Sequence, residues 1–268
     1  VKKICFVGGL PRSGSTLLCN ILNQNPRFYA SGTSPLPHML GAVKKSWDKS
    51  LDVLSQIDQE KDHYFNRFAA VLRGITEAWY QDIDAEVIFD KSRPWNAHYL
   101  LLKQLYESPR MILCVRDLRS VFASIEKHFL ESMLYGSLLH QTINNKLKEV
   151  FDGKGVIGNQ LMYMMDLHER GLFSEMLVIK YEVFTREPKE TMDRLYEYVG
   201  EEPYEHDFDH VVRTTQENDG VYRYHYPHRG EGKVTPAEPN DWQGIIPEKA
   251  ARIIRKQNDP FFRVFGYD

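Results

Sequence analysis

The apolar run Lys3-Ile4-Cys5-Phe6-Val7 leads straight into Gly9-Leu10-Pro11-Arg12-Ser13-Gly14-Ser15-Thr16, and the helix-forming run Leu17-Leu18-Cys19-Asn20-Ile21-Leu22 follows at once. A strand that enters a helix through a glycine loop makes an anion cradle. The loop amides point inward, and the helix N-terminus adds its partial positive charge. The spacing is that of a Walker A loop, but Ser15 stands where that motif needs lysine. The positive side chain lies inside the loop instead, at Arg12. A bare strand-to-helix turn is the competing reading. The position directly after a strand and the hydroxyls of Ser13, Ser15 and Thr16 favour a phosphate.

Three further apolar runs repeat the pattern: Glu86-Val87-Ile88-Phe89-Asp90, Met111-Ile112-Leu113-Cys114-Val115 and Met176-Leu177-Val178-Ile179-Lys180. Helical periodicity is predicted over about 15–24, 37–57, 61–81, 95–106, 118–130, 137–150, 157–170 and 247–257. Tyr64, Phe68, Val71, Leu72 and Ile75 form a core stripe on the third of these. Short, apolar strands separated by helices predict an α/β fold: a P-loop-type parallel sheet flanked by helices on both faces, with helical insertions. Residues 1–268 are expected to form a single domain. Ligands bind such sheets at the C-terminal strand ends. All four predicted strands end in polar residues there: the glycine loop, Asp90-Lys91, Arg116-Asp117 and Tyr181-Glu182. Residues 203–242 are poor in apolar side chains and read as a long surface loop, with His228-Arg229-Gly230-Glu231-Gly232-Lys233-Val234 as its notable stretch.

The formal net charge of −3 argues against a general nucleic-acid or membrane binder, so an anionic ligand must be held by a local basic site. No run of 18 apolar residues and no signal-peptide pattern occurs. Cys5, Cys19 and Cys114 sit in apolar elements and read as reduced core residues. A cytoplasmic location is expected.

A second motif is Arg116-Asp117-Leu118-Arg119-Ser120-Val121-Phe122-Ala123-Ser124. Arg116 ends a strand, and Ser124 lies two helical turns further on, a pair suited to pinch a second phosphate. Pro-Arg-Ser-Gly-Ser-Thr followed by Val-Arg-Asp-(x)6-Ser resembles the sulfotransferases that use 3′-phosphoadenosine 5′-phosphosulfate (PAPS). Arginine in the loop is most similar to the tyrosylprotein sulfotransferases and the bacterial branch related to them; the soluble small-molecule enzymes carry lysine there. The similarity extends through Phe89-Asp90-Lys91, Lys180-Tyr181-Glu182 and the stretch from Gly232-Lys233-Val234 to Trp242.

This resemblance implies that Pro11, Arg12, Ser13, Gly14, Ser15 and Thr16 hold the 5′-phosphosulfate, and that Arg116 and Ser124 hold the 3′-phosphate. His128 lies where the tyrosylprotein enzymes place an arginine that meets the cofactor. Tyr181 matches a cofactor-contacting tyrosine. Arg229, Gly230, Gly232 and Lys233 belong to a late covering loop, and Lys91 matches a lysine at the end of the second strand. The implied reaction is in-line transfer of a sulfuryl group to a hydroxyl or amine, releasing adenosine 3′,5′-bisphosphate (PAP). The implied acceptor is a small molecule or peptide. By analogy with phosphoryl transfer, catalysis is alignment and charge stabilisation by Arg12 and Lys91, with no metal required.

The general base is open at this level. The tyrosylprotein branch has a glutamate in the segment after the first helix, where Ser31-Gly32-Thr33-Ser34 offers no carboxylate. The small-molecule branch has a histidine just after the second strand, where Lys91-Ser92-Arg93-Pro94 offers none. His38, Asp90 and His98 are the nearby candidates, with His38 first because its segment lies where the family binds acceptor. Asp90 has a second reading, orienting Lys91 or Arg116. An acidic acceptor that needs no base is the remaining option. Two rival functions are a P-loop nucleotide kinase or NTPase, with Asp117 imitating a Walker B acid, and a non-catalytic PAPS- or PAP-binding protein.

Overall fold

Five runs of the chain pair side by side in parallel: Lys3–Gly9 (β1), Phe28–Thr33 (β2), Val87–Lys91 (β3), Arg110–Val115 (β4) and Leu177–Lys180 (β5), in the order β2-β3-β1-β4-β5. The structure is a computed structural model and describes residues 2–57, 61–131, 142–215, 217–221, 228 and 230–267. Alternation along β1 sends side chains to two cores. Cys5 and Val7 pack with Leu18 and Ile21 of Ser15–Leu22 (α1) and with Leu195 of Pro188–Val199 (α10). Phe6 packs on the other face with Trp95 and Leu102 of Trp95–Leu105 (α5) and with Leu118 and Phe122 of Leu118–Glu131 (α6). Each such aliphatic or aromatic side chain contributes about 1.5–3 kcal/mol by leaving water.

The remaining helices are Leu36–Trp47 (α2), Leu51–Ile57 (α3), Lys61–Trp79 (α4), Ile143–Phe151 (α7), Gly158–Glu169 (α8), Tyr181–Arg186 (α9), Glu248–Gln257 (α11) and Asp259–Phe265 (α12). Among the described residues, no helix is long and apolar enough to cross a membrane.

The register places the site. Val7 pairs with Lys91, and Gly9 pairs with Cys114, so the loop after β1 emerges beside Lys91 on one side and Arg116 on the other. Gly9 has φ +127, and a Cβ there would stand 2.0 Å from the Cys114 carbonyl oxygen. The chain turns off the sheet here with Leu10 N–H donating to that carbonyl at 2.9 Å.

The structure departs from the sequence expectation at several elements. β2 is a fifth strand, beyond the four that the apolar runs predict. It is an edge strand whose Phe28 and Ala30 alone are buried apolar residues, and its register with β3 shifts between Ala30 and Thr33. The helix expected over 37–57 is two helices, broken between Trp47 and Leu51, and α3 buries none of its residues. On α4, Phe68 and Leu72 are buried as expected, whereas Val71 faces solvent. α12 follows α11 after one intervening residue, started by Pro260 in its first turn.

Candidate active site

At the C-terminal edge of the sheet lies a cleft of about 340 Å³, bordered by Pro11, Arg12, Gly14, Ser15 and Thr16 from the loop, Lys91 from β3, Arg116 after β4 and Tyr181 after β5. Two of these loop residues have left-handed backbones, Arg12 (φ 58) and Gly14 (φ 85). Positive φ at arginine is a strained state that surrounding contacts must hold. Here Ser13 Oγ is buried and donates to Leu10 O at 2.6 Å, closing the loop on itself. The Ser13 hydroxyl therefore shapes the cradle from within and does not border the cleft. Gly14 stands at the N-terminus of α1, and Tyr181 packs over it: a Cβ there would lie 2.5 Å from the Tyr181 ring.

The second motif meets the first. Arg12 Nε donates to Ser124 Oγ at 3.1 Å, and its terminal nitrogen lies 2.8 Å from His128 Nε2, so α6 grips the loop arginine. Arg116 donates to the Arg12 carbonyl at 3.1 Å and pairs with Asp241 from the C-terminal loop. Its guanidinium lies 4.3 Å above the Tyr181 ring, a cation–π contact. The Arg116 Nε is buried and lacks a hydrogen-bond partner among the described residues. Asp117 caps α6 through Arg119 N–H at 2.7 Å and forms a forked ion pair with the Arg119 guanidinium.

Lys91 is buried. Its ammonium donates to Thr33 Oγ1 at 3.1 Å and lies 3.7 Å from Glu217. Asp90, the neighbouring residue on β3, is 0% exposed and accepts from Ser34, Tyr80 and Trp95 at 2.6, 2.5 and 2.6 Å. Burial pushes its carboxyl above the usual range, with the three donors and Lys91 opposing. Asp90 thus ties β3 to Ser34, Tyr80 and Trp95 and does not orient Arg116. His98 is half-buried, with its ring close to Gly41 of α2, and burial followed by the charge of His38 lowers its pKa. His38 is exposed on α2. None of these three borders the cleft.

The far wall comes from the C-terminal loop. Gly230 lies directly over the start of α1: a Cβ on it would stand 2.8 Å from Leu17 N, and Asn20 donates to its carbonyl at 2.7 Å. Gly232 pairs with Val211 in an antiparallel bridge. Lys233 borders the cleft while its ammonium pairs with Asp209 at 2.7 Å on the exposed side. Arg229 lies outside the described residues.

Sequence reasoning missed Glu217 and Asp219 and gave no role to His228, which it named only as part of the notable loop stretch; polar atoms of the three fall within 4.8 Å of one another. Glu217 accepts from Thr33 N–H and, at 3.0 Å, from Thr33 Oγ1. A carboxylate therefore stands beside Ser31-Gly32-Thr33-Ser34 after all, supplied from far along the chain. Burial alone would raise its pKa, but Lys91, His228 and the Thr33 donors bring it below the usual range. The only sequence signal was a long polar loop carrying a histidine.

Residues 5–206 match the model of the Sulfotransferase family. The chain belongs to the sulfotransferase family. Over its whole length it is 22% identical to 90% of a Caenorhabditis briggsae protein named "Putative protein-tyrosine sulfotransferase". Solved structures with the same fold include the sulfotransferase domain of the Synechococcus PCC 7002 olefin synthase, with TM-score 0.56 and 19% identity over 100% of this chain and 97% of that one. Mouse sulfotransferase SULT7A1, complexed with PAP, matches with TM-score 0.57 and 12% identity over 98% of this sulfotransferase and 84% of that chain.

Proposed function

We propose that this sulfotransferase moves the sulfuryl group of PAPS to a hydroxyl or amine acceptor and releases PAP. The observation that supports this most is the convergence of Arg12, Lys91 and Arg116 on the N-terminus of α1, from three different strand ends. The donor set fits such a ligand: loop amides and a helix terminus for one anionic group, and a half-buried arginine whose buried Nε has no partner among the described residues for another. In this reading Pro11–Thr16 hold the 5′ end. Arg116 and Ser124 hold the 3′-phosphate, with His128 alongside, and Tyr181 and the Arg229–Lys233 loop cover the nucleotide. PAPS supplies an activated sulfuryl group in line with its bridging oxygen. Arg12 and Lys91 stabilise the charge that grows on the leaving phosphate and the equatorial oxygens, each contributing on the order of 3–4 kcal/mol.

The acceptor is a small molecule or a peptide. The name of the Caenorhabditis briggsae relative favours a phenolic hydroxyl. Asp117 commits its carboxylate to Arg119, which leaves the magnesium-dependent nucleotide kinase without its acid. A cytoplasmic location fits three buried free thiols, two of them pushed up to about 12 by burial, and cell fractionation checks it.

Calorimetry with PAP against adenosine 5′-phosphate tests the reading. The bisphosphate should bind at least tenfold tighter, and Arg116→Ala should weaken it roughly 100-fold, about 3 kcal/mol. No PAP binding by the wild-type protein would sink the proposal.

A further inference from the structure

Glu217, Asp219 and His228 take part in none of the contacts assigned so far to cofactor. His228 is tied down twice: its backbone N–H donates to Asp219 Oδ2 at 3.1 Å, and its Nδ1 meets both Asp219 Oδ1 and, at 3.1 Å, Glu217 Oε2. A ring nitrogen set between two carboxylates carries the proton. In the neutral imidazole the lone pair then belongs to Nε2. The ring borders the same cleft as Arg12, Lys91 and the α1 N-terminus. A base held by an orienting carboxylate, next to a cationic cradle, is the arrangement that acid–base catalysis at an acceptor needs.

We propose that His228 is the general base of this sulfotransferase and that Asp219 is the positioning residue that fixes its tautomer. The proposal rests on the sulfuryl-transfer reading above. As the acceptor oxygen or nitrogen forms its bond to sulfur, His228 Nε2 takes the acceptor proton. The bond from sulfur to the bridging oxygen breaks, and its electron pair stays on the 5′-phosphate. The imidazolium then returns its proton to solvent.

The surroundings favour a neutral ring at rest. Burial lowers the His228 pKa below its ordinary value; the Asp219 hydrogen bond opposes this, Lys91 adds to it, and the Glu217 and Asp219 charges oppose. Arg213 lies 3.9 Å from Asp219 Oδ2 and offsets part of that carboxylate's charge. Glu217 is the weaker candidate base, since Thr33 and Lys91 already occupy its oxygens. A metal ion at this cluster is disfavoured by the adjacent Lys91 ammonium and by Nδ1 hydrogen-bonding directly to the carboxylates where an ion would have to separate them.

The test uses the full chain with PAP and PAPS, a panel of phenol, alcohol and amine acceptors, and water as the acceptor of last resort, read as PAP formation. His228→Asn should lose roughly 10²–10⁴-fold in kcat while binding PAP within about threefold of wild type. The wild-type kcat should fall as pH drops through a pKa below 6.5, because protonation removes the lone pair. Asp219→Asn should lose about tenfold and move that limb to lower pH. Nitrogen-15 NMR of the PAP complex should show the Nδ1–H tautomer at His228. An Nε2–H tautomer, full PAP formation by His228→Asn, or zinc binding that His228→Asn abolishes would each overturn the proposal. If instead wild type fails to bind PAP, it is the sulfuryl-transfer reading that falls.

Discussion

The two walls of the cleft are held by different means. The sheet wall consists of strand ends: Arg12, Lys91 and Arg116 are placed by the pairing of β1 with β3 and β4, backed by apolar cores on both faces. Among the described residues, the loop wall, from Asp207 to Val234, is tied by backbone only through the Val211–Gly232 bridge, the Val234 N–H to Phe208 carbonyl bond and one local turn at Val221, and otherwise depends on side-chain stitches. Asn20 binds both Thr214 and Gly230, Asn23 binds Thr214, and Gln24 binds Asp207. A wall built from strand pairing can be broken only by breaking the fold. A wall built from stitches can be lifted while the fold survives.

Adding one methyl group to each wall probes the contrast most severely. Gly9→Ala should abolish folding or cost more than about 4 kcal/mol, because the methyl meets the β4 backbone and the residue has positive φ. A melting temperature within a few degrees of wild type would break the comparison at its root. Next in size, Arg12→Ala should lower kcat roughly 10²–10³-fold with little change in melting temperature. Equal losses of stability and turnover would mean that the arginine serves the loop's shape and not its chemistry.

On the other wall, Gly230→Ala should leave the melting temperature near wild type yet weaken PAP about tenfold, roughly 1.4 kcal/mol, as the loop rises off Leu17. A large drop in stability there would show that the loop is as structural as the sheet. The smallest effect sharpens the boundary between the walls. Asp241→Asn removes the carboxylate that holds Arg116, so PAP should bind about threefold tighter, within the range of a partly exposed ion pair. Weaker binding would assign Asp241 to aiming Arg116 and not to competing with the ligand.

The same division governs what could be read from the chain. β1, β3 and β4 are legible as apolar runs because both faces of a central parallel strand are buried, and the motif residues follow them directly; β5, at the sheet's other edge, is half-buried on alternate residues and is legible because its own run Leu177-Val178-Ile179 is apolar throughout. β2 escaped because an edge strand needs few buried side chains, and Ser31, Gly32 and Thr33 look like a turn. The helix break after Trp47 carries no glycine or proline to announce it. Asp90 looked like a candidate for chemistry because it precedes Lys91. Its burial under Ser34, Tyr80 and Trp95, from three separate segments, is visible only in three dimensions. Glu217 and Asp219 were illegible for a related reason. Glu217 reaches Thr33 and Lys91 across more than a hundred residues, and Asp219 holds His228 within a loop that has no periodicity to mark which side faces inward.

The three thiols of this sulfotransferase sit on the cradle's own supports. Cys5 is on β1, Cys19 on α1 behind the loop, and Cys114 on β4, whose carbonyl receives Leu10 N–H; each is at most 2% exposed. A thiol-directed reagent can reach them only when these elements part. Their labelling kinetics therefore time the opening of the phosphate cradle itself, and slower labelling in the presence of PAP would measure how far a ligand at the rim closes the structure beneath it.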